Sequence, residues 1–144
     1  MRWLKAVSLA ALVATFASPA LAAKVEVTDA WFRALPANLP AGGYFRLRNS
    51  GTETAVLIGA KSSACGMLML HQSMDMGGME MMEMVGSVSV PAQGAIEFKP
   101  GGYHLMCMQP KPEMKPGGTV AVSLEFADGT KVDANFAVNG AKGQ

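Results

Sequence analysis

From residue 24 onward the chain never sustains an apolar pattern for long, because Gly, Pro or Asn cuts each short run, and this punctuation restricts the fold most. Lys24 to Arg33 alternates, with Val25, Val27 and, after a shift in phase, Trp31 at apolar positions. Pro36 to Gly43 reads as a loop, and Tyr44 to Arg48 as a strand ended by Asn49-Ser50-Gly51. Thr54–Gly59, Met67–Gln72, Met81–Val85, Gly94–Phe98 and Tyr103–Met108 follow as further strands. Thr119–Phe126 and Lys131–Val138 close the series across Ala127-Asp128-Gly129-Thr130, where Asp-Gly is a strong hairpin signal. Residues 72 to 81 read as a connecting loop, and Gly77-Gly78 in their middle argues against a helix. Short strands with turn signals at short intervals imply an all-β sandwich or barrel. No internal boundary or repeat divides it.

The first 22 residues have a different character. Arg2 and Lys5 precede the apolar stretch Ala6–Phe16, and Ala20-Leu21-Ala22-Ala23 follows. A basic, then apolar, then small-residue order is a secretory signal peptide, cut after Ala22 or, alternatively, Ala23. The expected layout is therefore a leader over residues 1–22 and one domain over 23–144, in a periplasm-type compartment. The apolar stretch is short for a membrane span, and no membrane insertion of the mature chain is expected. No cysteine stands at the cleavage point, so a lipid anchor is not expected either. Losing Arg2 and Lys5 takes the formal charge from +1 to −1, and the basic residues are scattered, which gives no footprint for nucleic acid. Cys65 and Cys107 are the two cysteines of the chain. An inter-strand disulfide is favoured in an oxidising compartment. Free buried thiols are the next reading, and Cys107 as a metal ligand the least favoured.

Chemistry concentrates in methionine and histidine. The chain has 12 methionines, eight of them between Met67 and Met84, and its two histidines are His71 and His104. On a strand His104 and Met106 share a face, about 6.5 Å apart at a rise of about 3.3 Å per residue. His71 and Met82, at the two ends of the loop, complete a clamp of two imidazoles and two thioethers. Met81 or Met84 could replace Met82 if the loop shifts. Thioether sulfur is soft and neutral, which suits Cu(I) far better than Zn²⁺, Ca²⁺ or Mg²⁺. Met67 and Met69 read as core packing, Glu80 and Glu83 as a solvated loop face, and Trp31 and Tyr103 as core or rim aromatics. Met74, Met76 and Met79 read equally as plain loop residues or as a weak funnel leading to the clamp.

The spacing His71-x10-Met82-x21-His104-x-Met106 resembles the copper motif of periplasmic copper chaperones of the PCu(A)C type. Lys99-Pro100-Gly101-Gly102-Tyr103-His104-Leu105-Met106, Ala30 to Pro36, Gly42-Gly43-Tyr44 and Asn49-Ser50-Gly51 are similar to that family as well. The resemblance implies a cupredoxin-like Greek-key β-sandwich, with Cu(I) held by His71, Met82, His104 and Met106. It also implies a monomeric carrier delivering copper towards cytochrome c oxidase, its partners a Sco-type thiol protein or oxidase subunit II. Cys107, where an apolar residue is expected, and the surplus methionines depart from the pattern. The His/Met-rich C-terminal extension of some relatives is absent here, so no second copper site is expected on a tail. Three other functions compete with this one. Copper sequestration by the Met-rich segment is the main alternative. A blue-copper electron-transfer site would need Cys107 as thiolate, but no histidine follows it and its parity is wrong. An enzyme is disfavoured, because no spare histidine, phosphate loop or suitably spaced carboxylate pair is present.

Overall fold

The structure, a computed structural model, describes residues 24–143, and the expected leader lies outside them. The described chain folds into ten strands: β1 (Val25–Arg33), β2 (Ala41–Asn49), β3 (Ala55–Lys61), β4 (Cys65–Met76), β5 (Met79–Met84), β6 (Val88–Val90), β7 (Ala95–Phe98), β8 (Tyr103–Pro110), β9 (Thr119–Phe126) and β10 (Lys131–Asn139). A single 3-10 turn, Pro36–Asn38, interrupts them. The all-β, one-domain expectation holds.

Hydrogen bonding runs in the order β5-β4-β8-β2-β1-β10-β9-β3-β6, with β7 also on β2. The β1·β10 pairing is parallel and the others are antiparallel. The path curls until β3 lies against β4, and the result is a β-sandwich. Phe32, Phe45, Phe98 and Phe136 are fully buried between the layers. Their rings meet at 4.3 Å (Phe45–Phe98), 5.2 Å (Phe32–Phe136) and 5.6 Å (Phe45–Phe136) between centroids. The phase shift before Trp31 is a bulge: the β1·β2 register slips between Thr28 and Trp31, where Asp29 takes φ 54°.

One edge of β2 is shared by two strands. Its first half (Ala41–Gly43) pairs with Leu105–Cys107 of β8, and its second (Phe45–Arg48) with Ala95–Phe98 of β7. The chain between them turns tightly, Gly102 N–H donating to the Lys99 carbonyl at 3.0 Å. That turn delivers His104 to the start of β8.

Three local expectations are corrected. Residues 72–81 are a β-hairpin rather than a loop, since β4 and β5 stay in unbroken register from His71↔Met84 to Met76↔Met79. Gly77 (φ 67°) and Gly78 (φ 90°) form its two-residue turn, the pattern of a type I′ hairpin. Met67 and Met69 are not core: alternation puts both on the outer face of β4, Met67 58% exposed and Met69 half-buried. Strand β6, only three residues long, escaped the sequence reading altogether. The favoured disulfide is present, linking Cys65 to Cys107 with Cα atoms 5.4 Å apart.

Candidate metal centre

Strands β4 and β8 are adjacent and antiparallel, and their register sets His71 directly opposite His104 and Met69 opposite Met106. Side chains of directly opposed residues share a face. His104 and Met106, two residues apart, extend that same face along β8. On the other side of β4, Met84 stands opposite His71 and Met82 opposite Ser73. Alternation therefore gathers His71, His104, Met106, Met82 and Met84 on one side of the β5-β4-β8 sheet. Met81 projects to the other side and cannot substitute for Met82, whereas Met84 can reach His71 from β5.

The two imidazole rings lie 5.6 Å apart at 72°. His104 is only 4% exposed, and its Nδ1 lies 3.2 Å from the Gly102 carbonyl. A carbonyl only accepts, so Nδ1 carries the proton and the Nε2 lone pair is free. That Nε2 is buried without a protein partner, and so is His71 Nδ1. Buried polar nitrogens are normally satisfied, and two orphaned ones on facing rings are what a bound ion would complete. A metal–nitrogen bond of about 2 Å is compatible with this ring spacing. Burial, and secondly the charge of His104, lower the His71 pKa from its ordinary 6.5.

Met82, His104 and Met106 line one cavity of about 490 Å³, walled also by Tyr44, Arg33 and the apolar rim Leu35, Leu39 and Pro40. His71 is not among its lining residues and meets it through the His104 ring. Three of the four expected ligands thus share a cavity, and the fourth faces one of them across the β4·β8 ladder. Among the described residues no three His, Cys, Asp or Glu side chains cluster to hold a metal. The cavity offers two thioethers beside the His104 imidazole, a donor set that favours a soft metal. Glu80, expected on a solvated face, is exposed but borders the cavity.

Two neighbours were not foreseen as parts of the site. The Tyr44 ring lies 6.4 Å from that of His104 and 4.8 Å from that of Trp31. The Arg33 guanidinium lies 5.6 Å from both the Trp31 and the Tyr44 ring centroids. Gly42, opposite Met106, makes room for this: a Cβ there would come within 2.6 Å of the Tyr44 hydroxyl. The Gly-Gly-Tyr sequence was the available signal, because a glycine inside a strand marks a close approach. Tyr103 packs at 5.6 Å on Phe98 and keeps its rim role.

The LpqE-like family model, which describes lipoproteins, matches residues 25–138. Protein Lxx21020 of Leifsonia xyli subsp. xyli is 35% identical over 107 residues, which are 74% of this chain and 64% of that protein. The chain thus spans less than two thirds of that relative's length. The solution structure of Cu(I)-DR1885 from Deinococcus radiodurans is similar with a TM-score of 0.62 at 27% identity, covering 87% of this chain and 81% of that one. The copper-bound PCuAC domain from PmoF2 has the same fold, with a TM-score of 0.67 at 24% identity over 84% of this chain and 96% of that domain. With the family model running from the first residue of β1 to the last residue but one of β10, the chain belongs to the LpqE-like family of PCuAC-type domains.

Proposed function

We propose that this protein is an exported Cu(I) carrier, a binding protein rather than an enzyme, with copper as its cargo. The observation that carries the reading is His104 Nε2, buried and unpartnered at a cavity lined by Met82 and Met106, with His71 opposite. The likeness to Cu(I)-bound DR1885 supports the identity of the ion. His71, Met82, His104 and Met106 are the ligands of this reading. Neutral donors leave the charge of the ion uncompensated, so a partner offering thiolates can take it by exchanging one ligand at a time. No step changes the oxidation state. The Cys65–Cys107 disulfide suits an oxidising compartment, in keeping with export to the periplasm. A Sco-type thiol protein or cytochrome c oxidase subunit II is the proposed recipient, and the carrier acts as a monomer.

The test is a Cu(I) titration against a competing chelator, with X-ray absorption to identify the ligands. One tight ion with mixed nitrogen and sulfur coordination is expected. His104→Ala with Met106→Ala should weaken it by about a hundredfold or more, each tenfold being about 1.4 kcal/mol. The circular dichroism spectrum should stay unchanged. Full affinity in a folded double variant would refute the site. Many weak ions in the wild type, with none tight, would favour sequestration instead.

A further inference from the structure

The β4–β5 hairpin has a second face that the His/Met site does not use. Its register pairs Met74 with Met81 and Met76 with Met79. These are two successive rungs on one side, each made of two methionines. Met76, Met79 and Met81 are 58%, 69% and 52% exposed, and Met74 is half-buried. This side continues the inner face of β4, whose Leu70 is in the core, but the hairpin runs past the layer that would cover it. An extension of the core would be apolar without a break. Here the rung nearest the core is Gln72 opposite Glu83, a polar pair that separates the four methionines from the sandwich. Packing therefore does not account for them.

The geometry points to a second Cu(I) site on this face, formed by the thioethers of Met74, Met76, Met79 and Met81. Opposed Cα atoms in an antiparallel pair lie about 4.5–5.5 Å apart, and residues two along a strand about 6.5 Å apart. The four side chains thus rise from the corners of a small rectangle. Methionine has three rotatable bonds, enough for all four sulfurs to lean over its centre. Four neutral sulfur donors select a soft monovalent ion. The charge around them favours a cation, since residues 73–84 contain Asp75, Glu80 and Glu83 and no lysine or arginine. An exposed site lacking imidazole holds its ion more weakly than the His/Met cavity does. Met81 and Met82 are consecutive and point to opposite faces, and β5 is the free edge of the sheet. An ion can pass around that edge from one set to the other, exchanging one copper–sulfur bond for another with no electron or proton released. The quartet is thus a loading station for the cavity. Naming copper rests on the carrier reading, whereas the site itself requires only a soft monovalent ion.

The test is anaerobic Cu(I) titration of the folded protein against a graded chelator series, with the methionine methyl groups followed by NMR. The wild type should bind two ions, the second weaker by about tenfold or more, a gap of about 1.4 kcal/mol. The weaker ion should shift the methyls of Met74, Met76, Met79 and Met81. The M74L/M76L/M79L/M81L variant keeps the apolar bulk and should lose only the weaker ion. H104A/M106A should lose only the tighter one. A wild type that binds one tight ion alone overturns the quartet and leaves the carrier reading standing. So does a second ion that survives in the quadruple leucine variant. A single weak ion, absent from that variant, would establish the quartet while removing the carrier reading.

Discussion

His104 takes its orientation from the backbone, its Nδ1–H held by the Gly102 carbonyl of the turn that leads into β8. His71 is tuned differently, by burial first and by the neighbouring His104 charge second, both of which lower its pKa below 6.5. Copper requires the neutral ring, so the proton is its competitor. With the pKa lowered, His71 stays neutral as the pH falls through 6.5 and competes only below that value. The His71 ring of the copper-free protein should therefore titrate with its midpoint below 6.5. NMR titration of that ring reads this, and a midpoint at or above 6.5 would contradict it. In the copper-free protein the same shift removes stability as the pH falls below 6.5, because the unfolded chain takes up the proton first. The candidate ligands were legible because two histidines and a soft-donor spacing leave few choices. Tyr44 and Arg33 were not, since the β2·β8 and β1·β2 pairings and the missing Cβ of Gly42 bring them to the site.

Most strands were legible from alternation and turn residues, and even the phase shift of β1 marked its bulge. The β4–β5 hairpin was not, for a physical reason. Residues 72–84 contain no β-branched or aromatic side chain, so nothing in their propensity announces a strand. The register inherited from β8 through β4, with the Gly77-Gly78 turn, supplies what propensity does not. Alternation alone would set Cys65 on the face away from Cys107, so parity does not announce the favoured disulfide. The backbone is irregular there: Gln109, whose side chain lies against Gly66, takes φ 51°, and the disulfide closes beside it. The link ties the start of β4 to β8, the two strands that carry both histidines. Across a separation of 42 residues, the loop-closure model assigns it about 4 kcal/mol. Cys65→Ser with Cys107→Ser should lower the unfolding free energy by about that amount in urea titrations. Unchanged stability would show that the strand pairing alone fixes the register.

At the scale of the whole molecule, the sandwich is unevenly secured. Its core lies between the layers, whereas β5 is the last strand of the sheet, paired only with β4 and exposed at every residue. An edge strand with little burial opens at a lower free energy than the core. Of the proposed ligands, Met82 alone lies on β5, while His104 and Met106 lie on the firmly paired β8. Copper should therefore act on the two strands unequally. By binding the closed form it adds about 2.7 kcal/mol of stability at a hundredfold excess over Kd. Its largest local effect should fall on the hairpin, which Met82 then ties to the body. Amide hydrogen exchange with and without one equivalent of Cu(I) measures this: protection should rise most over residues 79–84 and change little in β9 and β10. A Met82→Leu variant should bind more weakly and lose that added protection while keeping any gain in β8. If residues 79–84 exchange equally fast in both states while β8 slows, copper is held without β5, and neither Met82 nor Met84 is a ligand.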